Sequence, residues 1–245
     1  MKTVFITGAN KSIGFETARQ LLKEGYSIFL GSRDLKNGQE AVEKLKSEGL
    51  DNVEAIQIDI SKDESVKSAR IEIGKKTDVI DVLINNAGIT GGFPQSALEA
   101  TSQQFLDVFE TNVIGQVRVT QSFIDLVKKS NEPRIVMVSS SQGSLTLADD
   151  PNNIYYHHKG AVYQPSKSAL NMYSLVLAYE LRETPVKVNV VDPGFTKTDF
   201  NGHRGTGTVE AAAARIAKYA MIANDGPTGK FISEEYNPET GECPW

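Results

Sequence analysis

The sequence has little cysteine, little histidine and no long apolar segment, and each absence excludes a class of function. The one cysteine, Cys243, stands near the end of the 245 residues, which excludes an internal disulfide framework and leaves no basis for a cysteine-based site. The paired His157 and His158 would need further ligands to bind a metal, so no metal site is expected. No apolar run approaches the about 20 residues that span a bilayer. The first residues show no signal-peptide pattern, so we expect a cytoplasmic protein without a membrane partner.

An excess of positive charge is also absent. The 26 lysines and arginines are outnumbered by 31 aspartates and glutamates, which gives a formal net charge of −5. A protein of that sign does not attract nucleic acid or anionic lipid, so neither is an expected partner. What remains is an ordinary globular protein, and a chain of this length can build one substantial core.

Short apolar runs alternate with longer amphipathic segments from one end of the chain to the other. This alternation predicts an α/β protein with a doubly wound, seven-stranded parallel sheet and helices on both faces, in a single domain over residues 1–245. The predicted strands are 4–6, 27–30, 52–58, 79–85, 134–139, 186–191 and 229–233. The predicted helices are 12–25, 35–50, 64–75, 99–129, 167–182 and 209–222. Residues 144–161 are polar and show no period, which predicts a long functional or mobile loop.

Tyr163 and Lys167 form a candidate catalytic pair. If their segment opens a helix, the two side chains stand one turn apart on the same face. An ammonium group close to a phenol favours the phenolate and lowers the tyrosine pKa from its usual value of about 10. A tyrosine tuned in this way can exchange a proton with a reacting carbonyl near neutral pH.

The turn after the first predicted strand is rich in glycine, with the sequence Thr7-Gly8-Ala9-Asn10-Lys11-Ser12-Ile13-Gly14. It lies where backbone N–H groups at a helix N-terminus can bind a pyrophosphate. Ser12 stands where a glycine is usual. Its N–H and hydroxyl can still donate to phosphate, provided that its φ stays negative.

Six motifs in this order resemble those of the short-chain dehydrogenase/reductase family, and they extend over nearly the whole chain. They are the glycine-rich turn, Asn85-Asn86-Ala87-Gly88, Asn112-Val113-Ile114-Gly115, Ser139-Ser140, Tyr163-x-x-Ser166-Lys167 and Pro193-Gly194-Phe195-Thr196-Lys197-Thr198. The segments Asn10-Lys11, Ser32-Arg33-Asp34 and 225–229 resemble the NADPH carbonyl reductase branch in particular. The resemblance implies a Rossmann fold and an NADPH-dependent reductase that converts a ketone or aldehyde into an alcohol.

The resemblance also implies roles for single residues. Tyr163 would be the general acid, Lys167 would lower its pKa and hold the nicotinamide ribose, and Ser140 would bind the substrate oxygen. Asn112 would hold a water that links Lys167 to solvent. The expected contacts of NADPH or NADP+ are Gly8, Asn10, Lys11, Ser12, Ile13, Gly14, Ser32, Arg33, Asp59, Ile60, Asn86, Ala87, Gly88, Tyr163, Lys167, Pro193, Gly194, Phe195, Thr196 and Thr198.

A second tyrosine, Tyr155, also stands four residues before a lysine, Lys159. Its separation from Ser140 is closer to the usual family spacing than that of Tyr163. We nevertheless choose Tyr163, because Gly160 makes a helix after Lys159 unfavourable and because Tyr163 lies thirty residues before Pro193, a separation usual in the family. Residues 144–161 are then an insertion of about ten residues before the catalytic tyrosine.

The end of the second strand indicates the phosphorylated cofactor. NAD-binding members of the family place an acidic residue at the position of Ser32, where it accepts a hydrogen bond from the ribose 2′-hydroxyl. Ser32 is neutral, Arg33 follows it and Lys11 lies in the turn nearby, so two cations are available for a 2′-phosphate. Asp34 is interpreted as the N-cap of the next helix, and Asp59 as an adenine contact.

Two alternatives stay open, a nucleotide-sugar epimerase or dehydratase and a non-catalytic NADP(H) sensor. The small carbonyl substrate is expected between Phe93, the insertion and a substrate loop at 195–208, with His203 and Trp245 as further candidates. The helix after Lys167 is apolar on more than one face. We expect a second copy of the chain to cover that face in a homodimer or homotetramer, rather than the short insertion.

Overall fold

The computed structural model describes residues 1–245, and its seven strands form one parallel sheet in the order β3-β2-β1-β4-β5-β6-β7. The strands are β1 Thr3–Ile6, β2 Ser27–Ser32, β3 Val53–Gln57, β4 Val82–Asn85, β5 Arg134–Val138, β6 Lys187–Val191 and β7 Lys230–Ile232. The helices are α1 Ser12–Lys23, α2 Leu35–Ser47, α3 Asp63–Gly74, α4 Ser102–Phe109, α5 Gly115–Val127, α6 Leu145–Asp149, α7 Tyr163–Glu180 and α8 Val209–Ala220. The predicted fold class and strand number are confirmed. None of the helices combines the length and hydropathy that crossing a membrane requires; the cytoplasmic location stays a prediction.

Both faces of the sheet are buried. Alternate residues of each strand point to opposite sides, and apolar residues occupy both sides. In β1, Phe5 belongs to one apolar cluster, while Val4 and Ile6 belong to the other. The two clusters contain 25 and 23 buried residues, so the helices cover the two faces about equally, as in a doubly wound sheet.

The strand order reverses between β1 and β4, which are neighbours in the sheet. The chain leaves the carboxyl end of β1 in one direction and that of β4 in the other, and a crevice opens between the two loops. The glycine-rich turn follows β1 and the Asn86 motif follows β4. The topology of the sheet therefore brings these two motifs together.

The long helix predicted at 99–129 begins later and is interrupted. A capping box formed by Thr101 and Gln104 starts α4 at Ser102, and a π-helical turn, Glu110–Ile114, separates α4 from α5. Asn112 is buried within this wider turn. Such turns inside an α-helix are frequent at functional sites.

Residues 144–161 are more ordered than the predicted loop, and the following helix begins earlier than predicted. The Ser144 hydroxyl accepts from the Leu147 N–H and starts α6, after which the chain runs through turns. The first residue of α7 is Tyr163, four residues before the predicted start. Tyr163 and Lys167 therefore share one face of a helix, whereas Tyr155 lies in a turn.

Candidate active site

The glycine-rich turn is bound to the loop after β4. Thr7 Oγ1 accepts from the N–H groups of Asn86 and Ala87 at 3.0 and 3.1 Å, and Asn86 Nδ2 donates to the carbonyls of Thr7 and Gly8 at 2.9 and 3.0 Å. Gly8 has a φ of 64°, and a Cβ there would lie 3.0 Å from Ala87 Cα. The close approach therefore requires glycine. With the glycine-rich turn held against this loop, the start of α1 faces the crevice.

Ser12 does not meet the condition set by the sequence analysis. Its φ is +54°, in the left-handed region that costs an L-residue about 1–2 kcal/mol. The chain takes this conformation because it must turn tightly from Gly8 into α1. Ser12 still lines the cleft at the first turn of that helix.

Tyr163, Lys167 and Ser140 meet at the carboxyl edge of the sheet. Lys167 is buried, with its Nζ 5.8 Å from the centre of the Tyr163 ring. The same Nζ donates to the Val138 carbonyl at the end of β5 at 3.0 Å. Ser140 stands two residues further along, and its hydroxyl lies near enough to the Tyr163 phenol to lower the pKa of that phenol. The three side chains line one cleft with a volume of about 2150 Å³.

Burial shifts the pKa values of Tyr163 and Lys167 in opposite directions. It raises the pKa of Tyr163 above its usual value, and the Asp192 carboxylate adds to that rise, while the Ser140 hydroxyl lowers it. Burial also lowers the pKa of Lys167 to about 8, which Asp192 partly opposes. The net shift of the tyrosine pKa is thus upward, against the downward shift predicted, because loss of hydration penalises the phenolate most. At neutral pH the site holds a protonated phenol beside a cationic lysine.

Asn112 ties the loop after β4 to α7. Its Oδ1 accepts from the Ile89 N–H at 2.8 Å, and its Nδ2 donates to the Ile89 carbonyl and to Ser166 Oγ at 2.9 and 3.0 Å. Ser166 Oγ donates in turn to the Tyr163 carbonyl at 2.6 Å. These bonds lead to the backbone of Tyr163 and not to Lys167. The water-holding role of Asn112 stays a prediction.

Ser32 and Asp34 mark the opposite end of the cleft, beside α2. The Ser32 side chain is buried, and its Oγ donates to the Asp34 carbonyl at 2.6 Å. Asp34 Oδ1 accepts from the Asn37 N–H at 3.1 Å, which confirms its interpretation as the N-cap of α2. Arg33 lies between them, exposed at the rim of the cleft.

Lys11 reaches across the cleft to the substrate loop. Its Nζ lies 3.3 Å from Asp199 Oδ2, and both side chains are exposed. His203 Nε2 lies 2.9 Å from the other oxygen of Asp199. Lys11 therefore links the glycine-rich turn to the loop that begins at Phe195.

Aromatic rings line the part of the cleft next to Tyr163. The Tyr155 hydroxyl donates to Glu235 Oε2 at 3.1 Å, and its ring meets that of Phe195 edge-on at 5.9 Å. The Phe195 N–H donates to the other oxygen of Glu235 at 3.0 Å, and Phe200 packs edge-on against Tyr163 at 5.8 Å. Tyr155 therefore belongs to the wall of the cleft. The ammonium of Lys159 lies over a different ring, that of the next tyrosine.

All predicted cofactor contacts, together with Ser140 and Phe93, line the cleft, whereas Asn112 lies behind it. His203 and Trp245 do not line it. The Trp245 ring packs against that of Phe231, with 5.4 Å between the ring centres.

The sequence analysis did not single out several polar residues of the cleft, among them Gln95, Asp192 and Glu235. Asp192 and Glu235 come soon after β6 and β7, so their position at the carboxyl edge of the sheet was a signal that could have identified them. Gln95 lies in an irregular loop, and nothing in its sequence context marks it.

The comparisons with known proteins agree with this geometry. Residues 2–208 match the sequence model of the family described as short chain dehydrogenase. Short-chain dehydrogenase anuI of Penicillium roqueforti is 34% identical over 95% of this chain and 94% of its own. (+)-Neomenthol dehydrogenase of Capsicum annuum is 33% identical over 93% of this chain and 94% of its own. The crystal structure of NADPH-bound carbonyl reductase from chicken fatty liver has a TM-score of 0.83 at 25% identity, over 100% of this chain and 99% of that one. A family match over most of the chain and relatives above 30% identity over nearly their whole length establish that this protein belongs to the short-chain dehydrogenase family.

Proposed function

We propose that this protein is an NADPH-dependent carbonyl reductase that transfers hydride to a ketone or aldehyde and yields an alcohol. The observation that carries the proposal is the convergence of Tyr163, Lys167 and Ser140 in the same cleft as the glycine-rich turn. The names of two relatives, a neomenthol dehydrogenase and an NADPH-bound carbonyl reductase, agree with alcohol–carbonyl chemistry.

The residues present fit a bound dinucleotide phosphate. The start of α1 opens onto the cleft beside Gly8. Gly8 has no Cβ to obstruct the close approach of the loop after β4. The N–H groups at the start of α1 would hold the pyrophosphate. Arg33 would hold the 2′-phosphate, and Lys167 the ribose next to the nicotinamide. When bound, NADPH supplies the hydride.

Ser140 and Tyr163 would both donate hydrogen bonds to the substrate oxygen. Negative charge develops on that oxygen as hydride reaches the carbon, and two fixed donors stabilise it. Tyr163 then transfers its proton to the oxygen, and the phenolate that results is stabilised by the neighbouring ammonium of Lys167. The raised pKa of Tyr163 keeps the proton available for this step at neutral pH.

The loss of NADPH absorbance in the presence of a panel of small and bulky ketones tests the proposal. A reductase consumes NADPH with at least one of them. An epimerase or dehydratase would convert a nucleotide sugar and return its cofactor unchanged. A sensor would bind NADPH without any turnover.

Reduction is expected to decline as the pH rises through the pKa of Lys167. That pKa is lowered to about 8, so the ammonium is present below this pH and is lost above it, while the phenol keeps its proton because its own pKa is raised. Above about pH 8, kcat/KM should fall about tenfold per unit of pH, since the phenolate loses its cationic neighbour. Stopped-flow rates in buffers of constant ionic strength measure this, and a rate that rises with alkaline pH contradicts it.

We propose that a second copy of the chain covers the outer face of α7. Met172, Val176 and Tyr179 expose 61%, 46% and 64% of their surface there. The alignment with (+)-neomenthol dehydrogenase extends over 296 positions, more than the 245 residues of this chain. That relative therefore contains segments with no counterpart here, and the short insertion leaves the face of α7 uncovered.

Light scattering at micromolar concentration should give the mass of a dimer or tetramer, because isolated chains would expose this apolar face. Tyr179→Glu should shift the mass toward the monomer, while Ile71→Glu, at an exposed apolar residue of α3, should leave it unchanged. A monomer mass for the unmodified protein contradicts the proposal.

A further inference from the structure

Gln95 connects the loop after β4 with the first residues of α7. It is only 6% exposed, and both polar atoms of its side chain are bonded twice. Its Oε1 accepts from the N–H groups of Tyr163 and Val162 at 2.9 and 3.3 Å. Its Nε2 donates to the carbonyls of Thr90 and Gly92 at 2.6 and 2.8 Å. One buried amide therefore holds two segments of the cleft together.

The start of α7 has no cap of its own. Val162, at the cap position, provides no side-chain hydrogen bond, so the first N–H groups of the helix need acceptors from elsewhere. The Gln164 N–H finds a backbone carbonyl, and Pro165 has no N–H. The Tyr163 N–H is satisfied by Gln95. Gln95 thus takes the role of the cap from another part of the chain.

The backbone of Tyr163 is consequently fixed on both sides. Gln95 binds its N–H, and Ser166 Oγ donates to its carbonyl at 2.6 Å. Ser166 in turn accepts from Asn112, whose side chain also binds Ile89. Gln95 and Asn112 therefore tie the same loop, after β4, to the residue whose phenol must reach the substrate oxygen.

We propose that Gln95 is a positioning residue for Tyr163: through the Tyr163 N–H it sets where the phenol stands relative to Ser140 and the reacting carbonyl. The inference rests on the proposed function, in which Tyr163 is the proton donor. A displacement of about 1 Å in a catalytic group can cost about 10²-fold in rate. Removing the amide should therefore lower kcat while the cofactor still binds.

Gln95→Met, which keeps the length of the side chain and removes all four bonds, is the test variant. Gln104→Met is its matched control, because Gln104 also satisfies an N–H at a helix start, that of Thr101 at 2.9 Å, and is absent from the cleft lining. Both variants should lower the melting temperature. Only Gln95→Met should lower kcat, by about fiftyfold, with KM for NADPH within about threefold of the unmodified value. It should also raise the solvent deuterium isotope effect on kcat, because proton transfer becomes slower.

Hydrogen exchange of the Tyr163 amide, measured by NMR without substrate, reports on its hydrogen bond to Gln95 independently of activity. It should accelerate in Gln95→Met and not in Gln104→Met. If exchange responds in this way and the unmodified protein reduces no ketone, the proposed function fails, while the hydrogen bond between Gln95 and the Tyr163 N–H is supported.

Two further substitutions keep the test decisive. Gln95→Glu retains the acceptor for the Tyr163 N–H but places a second oxygen against the carbonyls of Thr90 and Gly92. It should therefore keep the Tyr163 amide better protected from exchange than Gln95→Met does and recover kcat only in part. Gln95→Asn, one methylene shorter, cannot reach both segments and should lower kcat even if Gln95→Met does not fold. A folded Gln95→Met or Gln95→Asn with unchanged kcat and unchanged Tyr163 exchange overturns the proposal.

Discussion

Replacing Tyr163 by phenylalanine is expected to abolish carbonyl reduction and to leave NADPH binding nearly unchanged. The phenylalanine ring preserves the edge-on contact with Phe200 and the start of α7, so the fold of the site is retained. What disappears is the hydroxyl that faces Ser140 and, in our proposal, carries the transferred proton. Loss of a positioned general acid and of one oxyanion donor should lower kcat by about 10³-fold or more. Steady-state rates and a fluorescence titration with NADPH measure the two quantities separately.

Tyr155→Phe is the matched control, since it removes the same atom from the other tyrosine of the cleft. It loses the hydrogen bond to Glu235 and keeps the ring contact with Phe195. We expect kcat within about fivefold of the unmodified value and a change mainly in KM for the ketone, because a wall contact binds ground and transition states alike. Full activity of Tyr163→Phe together with loss of activity in Tyr155→Phe would contradict the assignment of the catalytic tyrosine.

Replacing Arg33 by alanine is expected to reduce the preference for NADPH. A charge-assisted contact with the 2′-phosphate contributes about 1.5–3 kcal/mol before exposure and salt reduce it. The unmodified enzyme should therefore favour NADPH over NADH by about a hundredfold in kcat/KM, since 1.4 kcal/mol is tenfold. Arg33→Ala should lower the ratio of kcat/KM for NADPH to that for NADH by about tenfold. The change should come mainly from KM for NADPH, because the contact is the same in ground and transition states.

Lys11 should contribute less than Arg33, because its ammonium is already paired with Asp199 across the cleft. Lys11→Ala should consequently have the smaller effect on the preference, and Lys36→Ala, at an exposed lysine of α2 outside the cleft, should have none. Raising the ionic strength should weaken NADPH binding more than NADH binding. Equal efficiency with the two cofactors would contradict the role of Arg33 and would make Asp34 the candidate ribose ligand.

The fold and a large part of the cleft could be predicted because their signals are local in the sequence. The alternation of apolar runs gives the sheet, and the carboxyl ends of β1 and β4 bring the glycine-rich turn and Asn86 together. Tyr163 and Lys167 needed only the periodicity of one helix.

What could not be predicted depends on tertiary contacts. The pKa of Tyr163 rises because the whole cleft removes water from the phenol, which no pair of residues in sequence reveals. Ser12 takes a positive φ because the chain has to pass from Gly8 into α1 within a few residues. Gln95 caps α7 from a distant loop, and a cap supplied from elsewhere in the chain leaves no local signature.

Transfer of deuterium from NADPH labelled at the hydride position tests the central claim most directly. With a ketone that the protein accepts, the account predicts that the alcohol carries deuterium on the carbinol carbon, with one NADP+ formed for each alcohol, and that Tyr163→Phe forms neither. Binding of labelled NADPH without any transfer across the ketone panel, or conversion of a nucleotide sugar with the label retained on the cofactor, would contradict it.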